Sequence, residues 1–284
     1  MHIGSAGSNF ENWKDIANCS VLVSVDGNKA SRNQNTTFLK EINDASLISN
    51  KNGKADFYIT KDPNCSSLLK PNMEFIKNWY LSHRLVVKKK IKVNTISIND
   101  FLKKNKINYI DWLVIDAQGM DLKIIKSIKN KIKNNISVID IEPGFFDFYK
   151  NEDKISDIFE YMRKNFEFNE MKFGKSFRIS NDKVSRLEKK LLFMTERASK
   201  IYSNVTFLNN KTNIERINLI KLIYLLNQKK FFEAREYAKL NLINKNYKKK
   251  LIDNLNLKIN LKKIIFIFIY PVIFLKKILN KDDD

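Results

Sequence analysis

The stretch WLVIDAQGMDLKIIKSI, Trp112 to Ile128, limits the possible folds more than any other part of this chain. An apolar run of strand length breaks at Asp-Ala-Gln-Gly. The chain then resumes with apolar residues at helical spacing, Met120, Ile124 and Ile128, flanked by Leu122, Ile125 and Ile132. That pattern predicts a buried strand entering a helix through a glycine turn. Asp116, Gln118 and Asp121 surround Gly119, and buried acids and amides are costly unless they face water or a ligand.

The same texture recurs along the chain. SVLVSVD (20–26), ADFYIT (55–60), KVNTISI (92–98), DWLVID (111–116), ISVIDIEP (136–143), FEFNEMKF (166–173) and KKLLFMT (189–195) read as strands. NDFLKKN, with Asn99 as N-cap, MDLKIIKSIKNKI and EDKISDIFEYMRKN read as helices. Strands separated by helices predict βαβ units and an α/β fold with a mostly parallel sheet. In such sheets ligands bind at the carboxyl ends of the strands. Asp26, Asp116 and Glu142 each close an expected strand, so all three are expected on one rim.

Lys+Arg number 52 against 31 Asp+Glu, a net charge of +21. The excess is mostly scattered lysine, with no stripe of arginine and aromatics of the kind that reads bases, so nucleic acid is not the expected partner. Cys19 and Cys65 give neither a disulfide framework nor a metal-binding spacing. Met1 runs directly into His-Ile-Gly-Ser-Ala-Gly without a basic start or a long apolar core, so a cytoplasmic location is expected.

Two domains are expected, 1–200 and a helical extension over 201–284. In the extension INLIKLIYLLNQKKFFEAREYAKLNLI reads as two helices joined near Gln228-Lys229-Lys230. The uncharged core of the terminal stretch, Ile264 to Leu275, is roughly a dozen residues, short of the ~20 that span a bilayer. Bracketing lysines leave two readings for 261–279: a buried helix, or a peripheral anchor on the cytoplasmic face of a membrane.

Three stretches together resemble the FkbM family of S-adenosylmethionine-dependent methyltransferases, a branch of the class I Rossmann-like fold. HIGSAGSNFENWKDIANCSVLVSVDGN is similar to the family's opening strand, glycine loop, helix and second strand. ADFYITKDPNCSSLLKPN is similar to its strand and Pro-x-Cys-Ser-Ser-Leu loop, and TISINDFL…IDWLVIDAQGMDLKIIKSI to its strand ending in Asp-x-(Glu/Gln)-Gly. The likeness spans about Met1 to Thr195. His2 stands where class I openings usually carry an acid, and Ser8 where a glycine is expected.

The resemblance implies S-adenosyl-L-methionine as cofactor. Gly4, Ser5, Ala6 and Gly7 would approach its amino-acid tail, Asp26 would accept from the ribose hydroxyls, and the Gly27-Asn28 turn would keep the backbone close to the sugar. Asp116 would sit beside the cationic methionine portion or the acceptor hydroxyl. Asp121 is either a ligand or a partner of the helix N-terminus. Ser66, Ser67 and Gln118 would lie near the acceptor, a sugar, glycan or other small hydroxylated molecule. Methyl transfer to a hydroxyl needs a base, for which Asp116, Glu142 and His83 are the candidates. The competing readings are a non-catalytic, membrane-associated scaffold that keeps the fold, and an RNA methyltransferase supported by net charge alone.

Overall fold

A computed structural model describes residues 1–5, 10–27, 37–176, 185, 187–188, 191, 199–211, 214–242, 246 and 248–260. In chain order the elements begin with β1 (His2–Ile3), α1 (Lys14–Ala17), β2 (Val21–Val25), β3 (Lys40–Asp44), β4 (Leu47–Ser49), β5 (Gly53–Thr60) and α2 (Met73–Ile76). They continue with β6 (Val87–Ser97), α3 (Ile98–Lys104), β7 (Trp112–Ile115), α4 (Asp121–Ser127), α5 (Asn130–Lys133), β8 (Val138–Ile141) and α6 (Ile155–Met162). The hairpin strands β9 (Phe166–Ser176) and β10 (Ser199–Asn209) follow. Last come α7 (Glu215–Asn227), α8 (Phe231–Asn241) and a helix over 248–260.

The main sheet has seven strands in the order β3-β2-β1-β7-β8-β10-β9. The first five run parallel, and β10 is antiparallel to both neighbours. The expected mostly parallel α/β sheet is therefore present, with the order reversing at β1. Helices on both faces explain why β7 and β8 read as unbroken apolar runs. Leu113, Val138 and Ile139 are fully buried, and Ile98, Phe101, Leu122, Ile125 and Ile158 join the same core.

Several local expectations needed correction. β10 (Ser199–Asn209), which pairs with both β8 and β9, was not among the expected strands; by contacts the chain divides into Met1–Lys211 and Thr212–Asp284. In β10, buried Ser203, Val205 and Phe207 alternate with the less buried Asn204 and Thr206, which is a half-buried strand's pattern. Most of 189–195 lies outside the described residues, and Leu191 is helical. The helix expected from Met120 breaks at Ile128, whose extended backbone separates α4 from α5. Ser97, not Asn99, caps α3: its side chain accepts from the Asp100 N–H. Asn99 instead joins α3 to the end of α4, donating to the Ser127 carbonyl and accepting from the Lys129 N–H.

A second sheet, ordered β4-β6-β5, is inserted between β3 and α3. Its β5–β6 register pairs Phe57 with Ile91 and Ala55 with Val93 on one face, and Tyr58 with Lys90 and Asp56 with Lys92 on the other. On that second face Asp56 bridges the amines of Lys90 and Lys92 at 2.9 and 2.7 Å.

In the second unit, α7 and α8 are joined at Gln228–Lys230, the junction expected from the sequence, with Lys229 at φ 57°. Ala234 and Ala238 are fully buried on α8. None of the described helices is long and apolar enough to cross a membrane. The stretch 261–279 lies outside the described residues.

Candidate active site

Asp26, Asp116 and Glu142 follow β2, β7 and β8, three parallel strands, so all three stand at the carboxyl rim. Two cavities open there. The larger, about 500 Å³, is bounded by Gly4, Asp26, Gly27 and Asp116 from the main sheet, and by Phe57, Ile59, Ile91 and Val93 from the small one. The smaller, about 200 Å³, is lined by Arg84, Glu142, Phe148, Tyr149 and Glu152. Asn64, Asp116 and Gln118 line both. The aspartate and the amide of the opening motif thus form the wall the two cavities share.

Strand pairing brings Gly4 against Asp116. The Asp116 N–H donates to the Ile3 carbonyl at 3.0 Å and the Gly4 N–H to the Val25 carbonyl at 2.9 Å. A Cβ on Gly4 would fall 1.8 Å from the Asp116 carbonyl oxygen, and its φ is +75°. Glycine is required there by both contact and conformation. Gly27 has room and an ordinary φ; a Cβ would meet only the Leu47 side chain, at 3.3 Å.

After Asp116 the chain turns through two consecutive residues with positive φ, Gln118 at 50° and Gly119 at 90°. A non-glycine residue in this region costs of order 1–3 kcal/mol and persists only where its surroundings hold it. Three bonds do so here. Ser67 Oγ donates to the Gln118 carbonyl at 2.8 Å, Gln118 Nε2 donates to Asp116 Oδ1 at 2.5 Å, and the Ala117 N–H donates to Asp121 Oδ1 at 2.9 Å. Tyr149 Oη lies 2.7 Å from Gln118 Oε1 and 2.8 Å from the Cys65 carbonyl, so its single proton serves one or the other.

Asp116 and Glu142 are hydrogen-bonded to one another in buried surroundings. Burial raises both carboxyls above the ordinary range, and the Asp116 charge raises Glu142 further. Two carboxyls this close do not both ionise near neutrality, so the pair shares one proton. Burial also pushes Asp121 up to about 7 and Glu152 to about 8, and holds the Tyr149 phenol well above its usual value. The Cys65 thiol is raised to about 11 by burial, which leaves it protonated and unreactive.

Residues 2–169 match the family described as the methyltransferase FkbM domain. The chain belongs to the FkbM methyltransferase family. No curated protein and no solved structure matches it. The sheet order and the antiparallel β10 are consistent with the Rossmann-like methyltransferase fold that this membership implies.

Within this FkbM domain the expected site residues divide. Gly4, Asp26, Gly27, Ser66, Ser67, Asp116 and Gln118 line the larger cavity, and Glu142 lines the smaller. Ser5 lies beneath, fully buried, its Oγ 2.5 Å from Ser24 Oγ. Ser66 and Ser67 also serve the loop's own geometry: the Thr60 N–H donates to Ser66 Oγ and the Leu69 N–H to Ser67 Oγ. Ala6, Gly7 and Asn28 lie outside the described residues. His83 lines neither cavity: it is exposed, with Nδ1 2.7 Å from the Tyr80 carbonyl oxygen. Tyr149 and Glu152 line the site without having been expected. Tyr149 sits in the loop GFFDFYKN, which has no periodicity and no motif to mark it, and Glu152 stands where EDKISDIFEYMRKN was expected to begin a helix that instead starts at Ile155.

Proposed function

We propose that this chain is an S-adenosylmethionine-dependent O-methyltransferase acting on a sugar or another small hydroxylated molecule. The observation that carries the reading is the meeting of two cavities at Asp116 and Gln118, one large enough for a nucleoside cofactor and one for a compact acceptor. The larger cavity suits the cofactor chemically. Apolar Phe57, Ile59, Ile91 and Val93 offer a surface for a base, Asp26 an acceptor for ribose hydroxyls, and Asp116 a carboxylate for a cation. S-adenosylmethionine would supply an electrophilic methyl on a sulfonium.

The chain's own residues then have two tasks, alignment and removal of a proton. The shared wall brings acceptor and cofactor pockets face to face, which is most of what a displacement at carbon needs. The Asp116–Glu142 pair, carrying one negative charge, takes the proton of the acceptor hydroxyl as its oxygen attacks. Gln118, positioned by Tyr149, holds Asp116 in place for this. His83, exposed and turned to the Tyr80 carbonyl, is replaced in that role by the carboxyl pair.

Calorimetric titration with S-adenosylmethionine of the native chain and of Asp26→Ala tests the reading. Saturable binding is expected, weakened at least tenfold by the substitution, since hydrogen bonds to a charged group contribute about 1.5–3 kcal/mol. Well-folded native protein that fails to bind would overturn the transferase reading and favour the scaffold.

A further inference from the structure

The small cavity is acidic on a strongly basic protein. The chain has 52 Lys+Arg against 31 Asp+Glu, yet the charged residues lining this cavity are Asp116, Glu142, Glu152 and Arg84. Arg84 is committed to Asp62, with Nε and an Nη each 2.7 Å from the same carboxylate oxygen. Among the described residues no lysine lines the cavity. An anionic acceptor would therefore meet carboxyls and a neutralised guanidinium.

Glu152 has no part in the proton transfer assigned to Asp116 and Glu142, and it is seated with care. Its Oε1 accepts from the Phe148 N–H at 2.6 Å. Gly119 and Gly144 leave the space it occupies. A Cβ on Gly119 would lie 3.1 Å from Glu152 Oε2, and one on Gly144 would lie 3.5 Å from Oε1. The carboxyl is thus fixed by one oxygen while the other lies over Gly119, itself a cavity residue. Phe148 and Tyr149 line the same space. A carboxyl fixed beside aromatic rings is a setting for an organic ammonium group: burial holds Glu152 largely protonated near neutrality in the free protein, and a cation bound against it favours the ionised form.

We infer that Glu152 binds an ammonium group on the acceptor, which makes the acceptor an amino alcohol, with amino sugars as its cyclic form. This rests on reading the smaller cavity as the acceptor's. In the complex the ammonium donates to Glu152 while the hydroxyl to be methylated faces the Asp116–Glu142 pair. Glu152 acts as a specificity residue and exchanges no proton with the reacting oxygen.

The test is equilibrium binding of D-glucosamine, N-acetyl-D-glucosamine and D-glucose to the full chain at pH 7, without cofactor, followed by NMR. Glucosamine is expected to bind at least tenfold more tightly than the other two. Glu152→Gln keeps an oxygen for the Phe148 N–H but turns the second atom into a donor, and is expected to erase the preference while leaving S-adenosylmethionine affinity unchanged. Equal binding of the three sugars, no binding of glucosamine, or a preference that survives Glu152→Gln would each overturn the inference. Native protein that fails to discriminate overturns the inference even if the variant fails to fold. Protein that prefers glucosamine but does not bind S-adenosylmethionine loses the transferase reading alone, and protein that methylates neutral sugars without preference loses only this one.

Discussion

Replacing Gly4 with alanine asks whether the edge of β1 really lies against the Asp116 carbonyl. The added Cβ would sit 1.8 Å from that oxygen, whereas comfortable contacts begin near ~3.5 Å. The strands must therefore part by roughly 1.5 Å or more. That movement is opposed by backbone bonds of 2.9 to 3.0 Å that tie β1 to its neighbours. Left-handed backbone for alanine costs about 1–2 kcal/mol, overpacking about 1–3, and a lost backbone hydrogen bond about 1. The sum, about 3–6 kcal/mol, is a large share of a typical stability of 5–15. Urea denaturation followed by tryptophan fluorescence measures it, with Trp112 on β7 as a local reporter.

Two other glycines are built-in controls. Gly27→Ala meets only the end of Leu47 and is expected to cost under about 1 kcal/mol. Gly53→Ala has nothing within 4 Å and pays only for its φ of +139°. Gly4→Ala within about 0.5 kcal/mol of native, with S-adenosylmethionine affinity intact, would refute the β1–β7 register on which the shared cavity wall depends.

Tyr149→Phe should leave Gln118 Oε1 without its phenol donor, lowering stability by about 1–2 kcal/mol and slowing methyl transfer about tenfold at unchanged S-adenosylmethionine affinity; transfer at the native rate would remove Tyr149 from the positioning chain. The Asp121 carboxyl, raised to about 7 by burial, lets the folded state hold a proton that the unfolded state has lost. Its stabilising contribution is therefore complete below pH ~4 and disappears as pH rises through 7, up to about 4 kcal/mol in all. Asp121→Asn keeps the Ala117 acceptor and should flatten that fall, read from urea midpoints at pH 5 and 8; an unchanged slope would mean that Asp121 is ionised throughout. Glu152, raised to about 8, contributes a slope of the same sign from about pH 4.5 to 8, so Glu152→Gln should flatten the curve across that range, including the stretch from 7 to 8 that Asp121→Asn leaves unchanged, read from the same urea midpoints.

The rim of acids was legible because Asp26, Asp116 and Glu142 each end a β-branched or apolar run, and parallel strands place such ends on one edge. The turn at Gln118-Gly119 was equally visible, since glycine between a strand and a helix pattern has few other uses. β10 was harder: its residues alternate, but KKLLFMT just before it is the more apolar run and takes the strand reading. Loop residues carried the least signal. Glu152 and Tyr149 reach the site through a connection whose path depends on Gly144, Phe148 and the distant Cys65 carbonyl, none of it encoded in local spacing. His83 was singled out because the chain has two histidines, and scarcity says nothing about position.

The small sheet has a consequence for how the protein would respond to the proposed cofactor. Phe57, Ile59, Ile91 and Val93 supply the far wall of the larger cavity, so that cavity exists only while two separately hydrogen-bonded sheets are both formed. A molecule held between them links their opening reactions. Every local excursion that frees β5 from β6 would then cost the binding energy as well as the hairpin's own. Amide exchange in β5 and β6 should therefore slow on cofactor addition as much as exchange beside Asp26, although the hairpin contributes no charged group to the ligand.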